Sequence, residues 1–271
     1  MKYSLLVALC MMTAKSWGQT HTVGARAAGL GHATVAMRGA GGLFANISGV
    51  TNVKQPTLFA GYENRFGFSE GLHTVAAGLV QPTRYGTGSV GVYRFGDARH
   101  SHHRLSLGYS QRIGQFSAGL RLSQHQYHTE GFGTRFRTVI DVGGQAQLSP
   151  ELVFGMQLLN VTQARLSRVT QENIPTLVQV GLSYRPVTAW WFSAEVEHEV
   201  TQRPNLKLGV AYTALKMFSL RTGFNSRELR QFFGLGWKHR LLDADYALIT
   251  HSRLGLSHQV SIAYRLFKND R

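Results

Sequence analysis

AEVEHEV, residues 194–200, sets Glu195, Glu197 and Glu199 at alternate positions of one short stretch. Neighbouring carboxylates can divide general-acid and general-base work between them. No serine–histidine pairing or other catalytic signature accompanies them, so the chemistry they suggest first is charge balance. RHSHHR at 99–104 brings His100, His102 and His103 close in sequence, the residue type that binds transition metals. A metal centre also needs convergent geometry and second-shell carboxylates, and only Asp97 is near. The spacing predicts an exposed basic hairpin loop, with His125 and His128 at the end of another. GARAAGLG at 24–31 has the glycine density of a phosphate-cradling loop. It matches neither G-x-x-x-x-G-K-[ST] nor G-x-G-x-x-G, and no Lys-Ser or Lys-Thr follows. No cofactor or metal is expected.

The elements that must position these residues follow a period of two. LSLGYSQ alternates Leu105, Leu107 and Tyr109 against Ser106, Gly108 and Ser110. FSAGLRLS and VQVGLSYR do the same, and no amphipathic helical period occurs beyond residue 50. Such alternation means strands with one apolar and one polar face. The polar face is rich in glycine and serine and carries isolated charges. Charged residues make up only 16% of the chain. A soluble sandwich would hide its apolar face and show a richer charged surface. A membrane barrel turns the apolar face to lipid and the small and charged residues to the lumen.

Segments of about ten residues fall near 56–66, 71–81, 87–97, 101–112, 115–127, 134–148, 151–161, 176–186, 190–200, 204–214, 217–226, 230–240, 242–251 and 256–267. The fold class expected is all-β: a transmembrane antiparallel β-barrel of about 14 strands. RIGQ, SPE, RPVTAW and ALKM join alternate pairs tightly. QYHTEGFGT, TQARLSRVTQENIP and HEVTQRPN join the others with longer loops. Short turns at one end and longer loops at the other are the periplasmic and extracellular ends of such a barrel. Trp190, Trp191 and Phe192 follow a tight turn, where an interfacial aromatic girdle belongs. Phe267 closes the last alternation.

Placed on strands, the charges form an expected lumen network. Glu195 and Glu197 are set to balance Lys207 and Arg185, with Arg221 one strand further on. Asp243 and Asp245 face Lys238 across a hairpin.

Residues 1–19 read as a cleaved secretory signal peptide: an early lysine, an apolar run from Leu5 to Met12, and a small-residue site near Ser16–Gly18. That run is too short to span a bilayer. Cys10 is the chain's one cysteine, and Leu9 before it does not suit a lipoprotein box, so the mature protein relies on no disulfide. The net charge of +15 comes from scattered lysines and arginines with no dense run. Outer-membrane lipid and lipopolysaccharide suit an exported basic barrel, and nucleic acid does not.

The stretch from Gly24 to Val50, GARAAGLGHATVAMRGAGGLFANISGV, resembles the N-terminal signature of the PorV/PorQ-type outer-membrane barrels of Bacteroidota, related in fold to the FadL fatty-acid channel. The residues carrying the match are Gly24, Arg26, Gly29, Gly31, Asn46 and Gly49. Asn46-Ile47-Ser48-Gly49 replaces the family's Asn-Pro-Ala-Gly turn, and Arg38 falls where an acidic residue is common. The resemblance implies a segment, residues 20–52, tucked into the lumen of a barrel spanning 53–271. Small residues there would let backbone approach the inner wall. It also implies a non-enzymatic accessory role in type IX secretion, with protein partners in a membrane complex. A FadL-like passive channel for hydrophobic or small solutes is the alternative.

Overall fold

In a computed structural model, the period-two alternation becomes a closed barrel of fourteen antiparallel strands. The structure describes residues 23–67, 73–166, 174–199, 202–227, 229–251 and 255–266. The signal-peptide reading and Phe267 lie outside them. The strands are β1 (Thr57–Asn64), β2 (His73–Pro82), β3 (Thr87–Gly96), β4 (His100–Ile113), β5 (Phe116–Thr129), β6 (Gly133–Gln147) and β7 (Leu152–Leu159). They continue as β8 (Leu177–Val187), β9 (Trp190–Glu199), β10 (Asn205–Ala214), β11 (Phe218–Asn225), β12 (Arg230–His239), β13 (Leu242–His251) and β14 (Gly255–Arg265). Each pairs with its sequence neighbour, and β1 closes on β14 from Thr57↔Arg265 to Asn64↔His258. Closure pairs every strand and leaves no sheet edge, which is the condition for a sheet to sit in lipid.

The two faces separate as the alternation requires. On β4 the outward Leu105, Leu107 and Tyr109 are half exposed, while the inward Arg104, Ser106 and Ser110 are buried. Among the described residues, one register shift interrupts the ladder, between Tyr184 and Val187 on β8. Pro186 lies within it and has no N–H to donate.

Two expectations about loops need correcting. QYHTEGFGT is mostly strand: β5 runs to Thr129 and β6 starts at Gly133, leaving 130–132 as the connection. RHSHHR is not an exposed hairpin loop either, because His100–Arg104 belong to β4 and His102 and Arg104 are buried. The reason is the same for both. The inner face of β4 and β5 keeps partners beyond the level where the apolar alternation stops, so pairing continues.

The N-terminal segment fills the lumen. A short helix, α1 (Ala25–Gly29), is followed by 3-10 turns at Ala40–Leu43 and Ile47–Asn52. Val23, Leu43, Phe44, Ile47 and Val50 pack against Phe59, Val80 and Tyr93 of the wall. Ala25 and Ala28 pack against Phe232, Ala247 and Ile249. The hydrophobic core therefore lies between plug and barrel, where each large apolar side chain contributes about 1.5–3 kcal/mol by leaving water.

Such a barrel should resist SDS until boiled. The purified protein is expected to run faster on a gel unboiled than boiled, and identical mobility would contradict closure.

Candidate functional site

The plug is fastened to the wall by buried charge. On β9 and β10 the register sets Lys207 beside Glu195, with Glu197 one inward position further along. The Lys207 ammonium sits 2.8 Å from Glu195 Oε1 and 2.7 Å from Glu197 Oε2, and all three side chains are almost fully buried. The second oxygen of Glu195 accepts the backbone N–H groups of Thr34 (2.7 Å) and Val35 (2.8 Å) in the plug. Gln179 donates to Glu197 at 2.8 Å, and the Arg227 guanidinium lies 3.5 Å from it. A carboxylate pair here is occupied in holding a cation and a backbone turn, so the acid–base reading gives way to an anchor.

A second anchor lies nearer the end carrying the short turns. Arg26 of α1 reaches Asp245 at 3.2 Å and Asp243 at 3.3 Å. Arg221 holds Asp245 at 2.7 Å and Arg265 holds Asp243 at 2.8 Å. Burial disfavours the Arg26 cation, but Asp245 and Asp243 together outweigh it and keep its pKa above the ordinary arginine value.

A third anchor carries residues that the sequence reading does not single out. Arg121 and Asp141 face each other across β5 and β6 and form a buried pair at 2.8 Å. The remaining guanidinium nitrogen of Arg121 donates to the carbonyls of Leu43 and Ala45, both at 2.9 Å. Their cross-strand opposition is the signal that would have found them.

The expected network is thus divided, and two of its members stand apart. Arg185 is not a partner of Glu195. The register pairs Gly181 with Glu195, which puts Arg185 four residues along β8, roughly 13 Å nearer the short-turn end. There it is exposed and stacks on Trp191, 4.1 Å from the ring centroid. Lys238 is opposite Asp243 by register, but it is exposed at the mouth, and Arg26 and Arg265 hold that carboxylate.

Asn46 knits the plug together. Its amide donates to Val35 O at 2.7 Å and to the wall carbonyls of Gly144 and Met156 at 3.2 Å. Its oxygen accepts the Ser48 N–H and hydroxyl at 3.1 and 2.8 Å. The Ile47-Ser48 departure from the Asn-Pro-Ala-Gly turn is therefore compensated: Asn46 caps the 3-10 turn through the Ser48 N–H and hydroxyl, and Ile47 fills the space over Gly108 and Gly119. Gly49 packs on the Met37 carbonyl, and its own carbonyl accepts the N–H of Gly39 at 3.1 Å.

Glycine serves the wall as well as the plug. A methyl group at Gly209 would stand 2.5 Å from the Leu30 carbonyl, and one at Gly234 would stand 3.0 Å from Gly29 Cα. Gly31 has φ +64°, and a Cβ there would lie 2.7 Å from the Leu208 carbonyl. Position 31 thus refuses a side chain on two grounds, backbone conformation and space. Gly29 meets Gly234 and Gly31 meets Gly223 of β11, backbone to backbone.

Above Phe44, away from the short turns, His102, His125 and Tyr127 stack with their rings nearly parallel. The two imidazoles share a hydrogen bond of 3.0 Å. Arg104 lies over the rings of Tyr93 and Phe44, at 5.0 and 5.7 Å. On the plug, burial pushes His32 down to about 3, so the imidazole meeting Phe232 edge to face is neutral at neutral pH.

The arrangement is a barrel with its lumen stoppered by its own N-terminal segment. No known family matches the sequence, and no curated protein does. Solved structures do match the fold. The CymD monoaromatic hydrocarbon channel superposes with a TM-score of 0.67 at 12% identity, over 92% of this chain and 98% of that one. The chain shares the fold of that channel. The toluene transporter TodX of P. putida gives 0.62 at 10% identity, over 93% and 100% of the two chains. A Pseudomonas aeruginosa FadL homologue gives 0.59 at 11%, over 89% and 98%.

Proposed function

We propose that the protein is an outer-membrane channel of FadL-like plan for small hydrophobic solutes, held shut at rest by its plug. The observation carrying this reading is the plug itself, a short segment bonded by side chains to many strands of the wall. Anchors made of a few charge-assisted bonds can exchange partners and let the segment shift. The FadL-like neighbours are described as channels and a transporter for toluene and other monoaromatic hydrocarbons, which supports the solute class. In this reading residues 1–19 are a leader cleaved on export, and outer-membrane lipid and lipopolysaccharide surround the barrel. No chemical step belongs to the protein.

Initial uptake of radiolabelled toluene should be faster in cells whose outer membrane carries this barrel than in cells without it. Equal rates would remove the channel reading.

The Gly24–Val50 resemblance favours a second reading, an accessory barrel of a secretion machinery in the PorV/PorQ manner. Arg26 and Asn46 of that motif serve the fit of the plug to the wall, which either role requires. A protein partner retained through purification in mild detergent, together with unchanged toluene uptake, would favour this second reading.

A further inference from the structure

The end of the barrel carrying the short turns is strongly and unevenly charged. A cavity of about 640 Å³ opens there between plug and wall, with Val23, Met37 and Phe59 among its apolar lining. Its cationic lining comes from both bodies: Arg26, Arg38 and Lys54 precede the first strand, while Lys238, Arg240 and Arg265 belong to the wall. The carboxylates in that lining are Asp243 and Asp245, and both are already engaged by Arg26, Arg221 and Arg265. Among the described residues, Lys54, Lys238 and Arg240 have no carboxylate within 4.0 Å and stand exposed. Arg38 donates to Gln147, an uncharged acceptor. The positive positions continue past the cavity through Arg112, Arg185 and Lys216, all exposed. Among the described residues, Glu151 is the exposed acid near them.

Lys54, Lys238 and Arg240 take no part in the anchors between plug and wall, and unbalanced cations at one mouth repel each other. Lipid headgroups ring a barrel from outside, so they do not reach side chains lining a cavity between plug and wall. A small anion would satisfy one or two of the cations and leave the rest. An extended chain bearing several carboxylates, with an apolar side chain to enter the cavity, matches both the spread of charge and the floor. We propose that this mouth docks an acidic peptide segment of a partner protein. Because the cations belong to plug and wall together, the docked segment ties one to the other. The inference holds whichever solute the barrel passes.

The test uses the full-length barrel in uncharged detergent and the fluorescence anisotropy of a labelled oligoglutamate peptide. Binding is expected at low ionic strength, weakening as salt is added. The pair Lys238→Glu with Arg240→Glu should weaken it by about tenfold or more, because the reversed charges repel the ligand directly. Arg84→Glu is the control. Arg84 is exposed in the β2–β3 turn at this same end, but that turn is held to the outward-facing Tyr109 and Arg84 does not line the cavity, so its reversal controls for the general charge of the mouth. It should change binding by no more than about twofold. All variants must keep the heat-dependent gel shift. Absence of binding at low salt would overturn the proposal, as would equal weakening by Arg84→Glu. Displacement of the peptide by equimolar laurate or inorganic phosphate would also overturn it, since the site would then be one for a small anion.

Discussion

Lys207→Met is expected to be the most damaging single change in the lumen. It leaves Glu195 and Glu197 buried side by side without the ammonium that lies 2.8 and 2.7 Å from them. Breaking a buried pair by removing one partner typically costs ~3–5 kcal/mol, because the remaining charge is uncompensated. Methionine keeps most of the volume, so the loss reports charge rather than a cavity. The damage should reach the plug, since Glu195 also holds the N–H groups of Thr34 and Val35. Adding Glu195→Gln and Glu197→Gln to Lys207→Met should recover much of the stability, because neutral groups of the same shape carry a smaller desolvation cost. The check is the temperature at which the fast-migrating form converts to the slow one. An unchanged temperature for Lys207→Met would mean that water reaches these carboxylates and that the lumen is open at this level.

The alternation of β4, β5, β8 and β14 names the lipid face and the lumen face directly, and the turn parity gives closure. The Glu195–Glu197–Lys207 cluster is readable for the same reason, because alternate residues on adjacent strands share a face. What alternation does not carry is height along the barrel axis. Arg185 shares the inward face with Ser183, yet it stands at the mouth, and Lys238 does likewise. Height depends on the register of each pair, which the turns set and the hydrophobic pattern does not reveal.

The strand ends fail for a different reason. His125, Tyr127 and His128, followed by Gly131 and Gly133, have loop composition. Stacking with His102 inside the lumen holds the first two in a strand. Glycine illustrates a third limit. In the sequence the wall glycines are only the small residues of the polar face, but Gly209 and Gly234 accommodate Leu30 and Gly29. That role depends on the path of the plug, which no local pattern encodes.

Removing the plug should have the largest functional effect. Deleting residues 24–44 takes away Arg26, the backbone held by Glu195, and the Leu43 carbonyl held by Arg121. It also removes Leu30, Leu43 and Phe44, whose packing fills the space between opposite walls. The side chains left behind are fixed to the wall or its foot: the serines, glycines and paired charges of the inner face, with Phe59, Tyr93 and Phe232 and the turn at Ile47–Asn52. They are too small, or too well bonded in place, to refill the volume, and water and ions should enter. Conductance across a planar bilayer tests this most directly. The intact barrel is expected to stay near zero current, and the deletion variant is expected to give discrete, stable open steps. A large steady conductance from the intact protein, unchanged by the deletion, would contradict the account that the N-terminal segment closes the lumen.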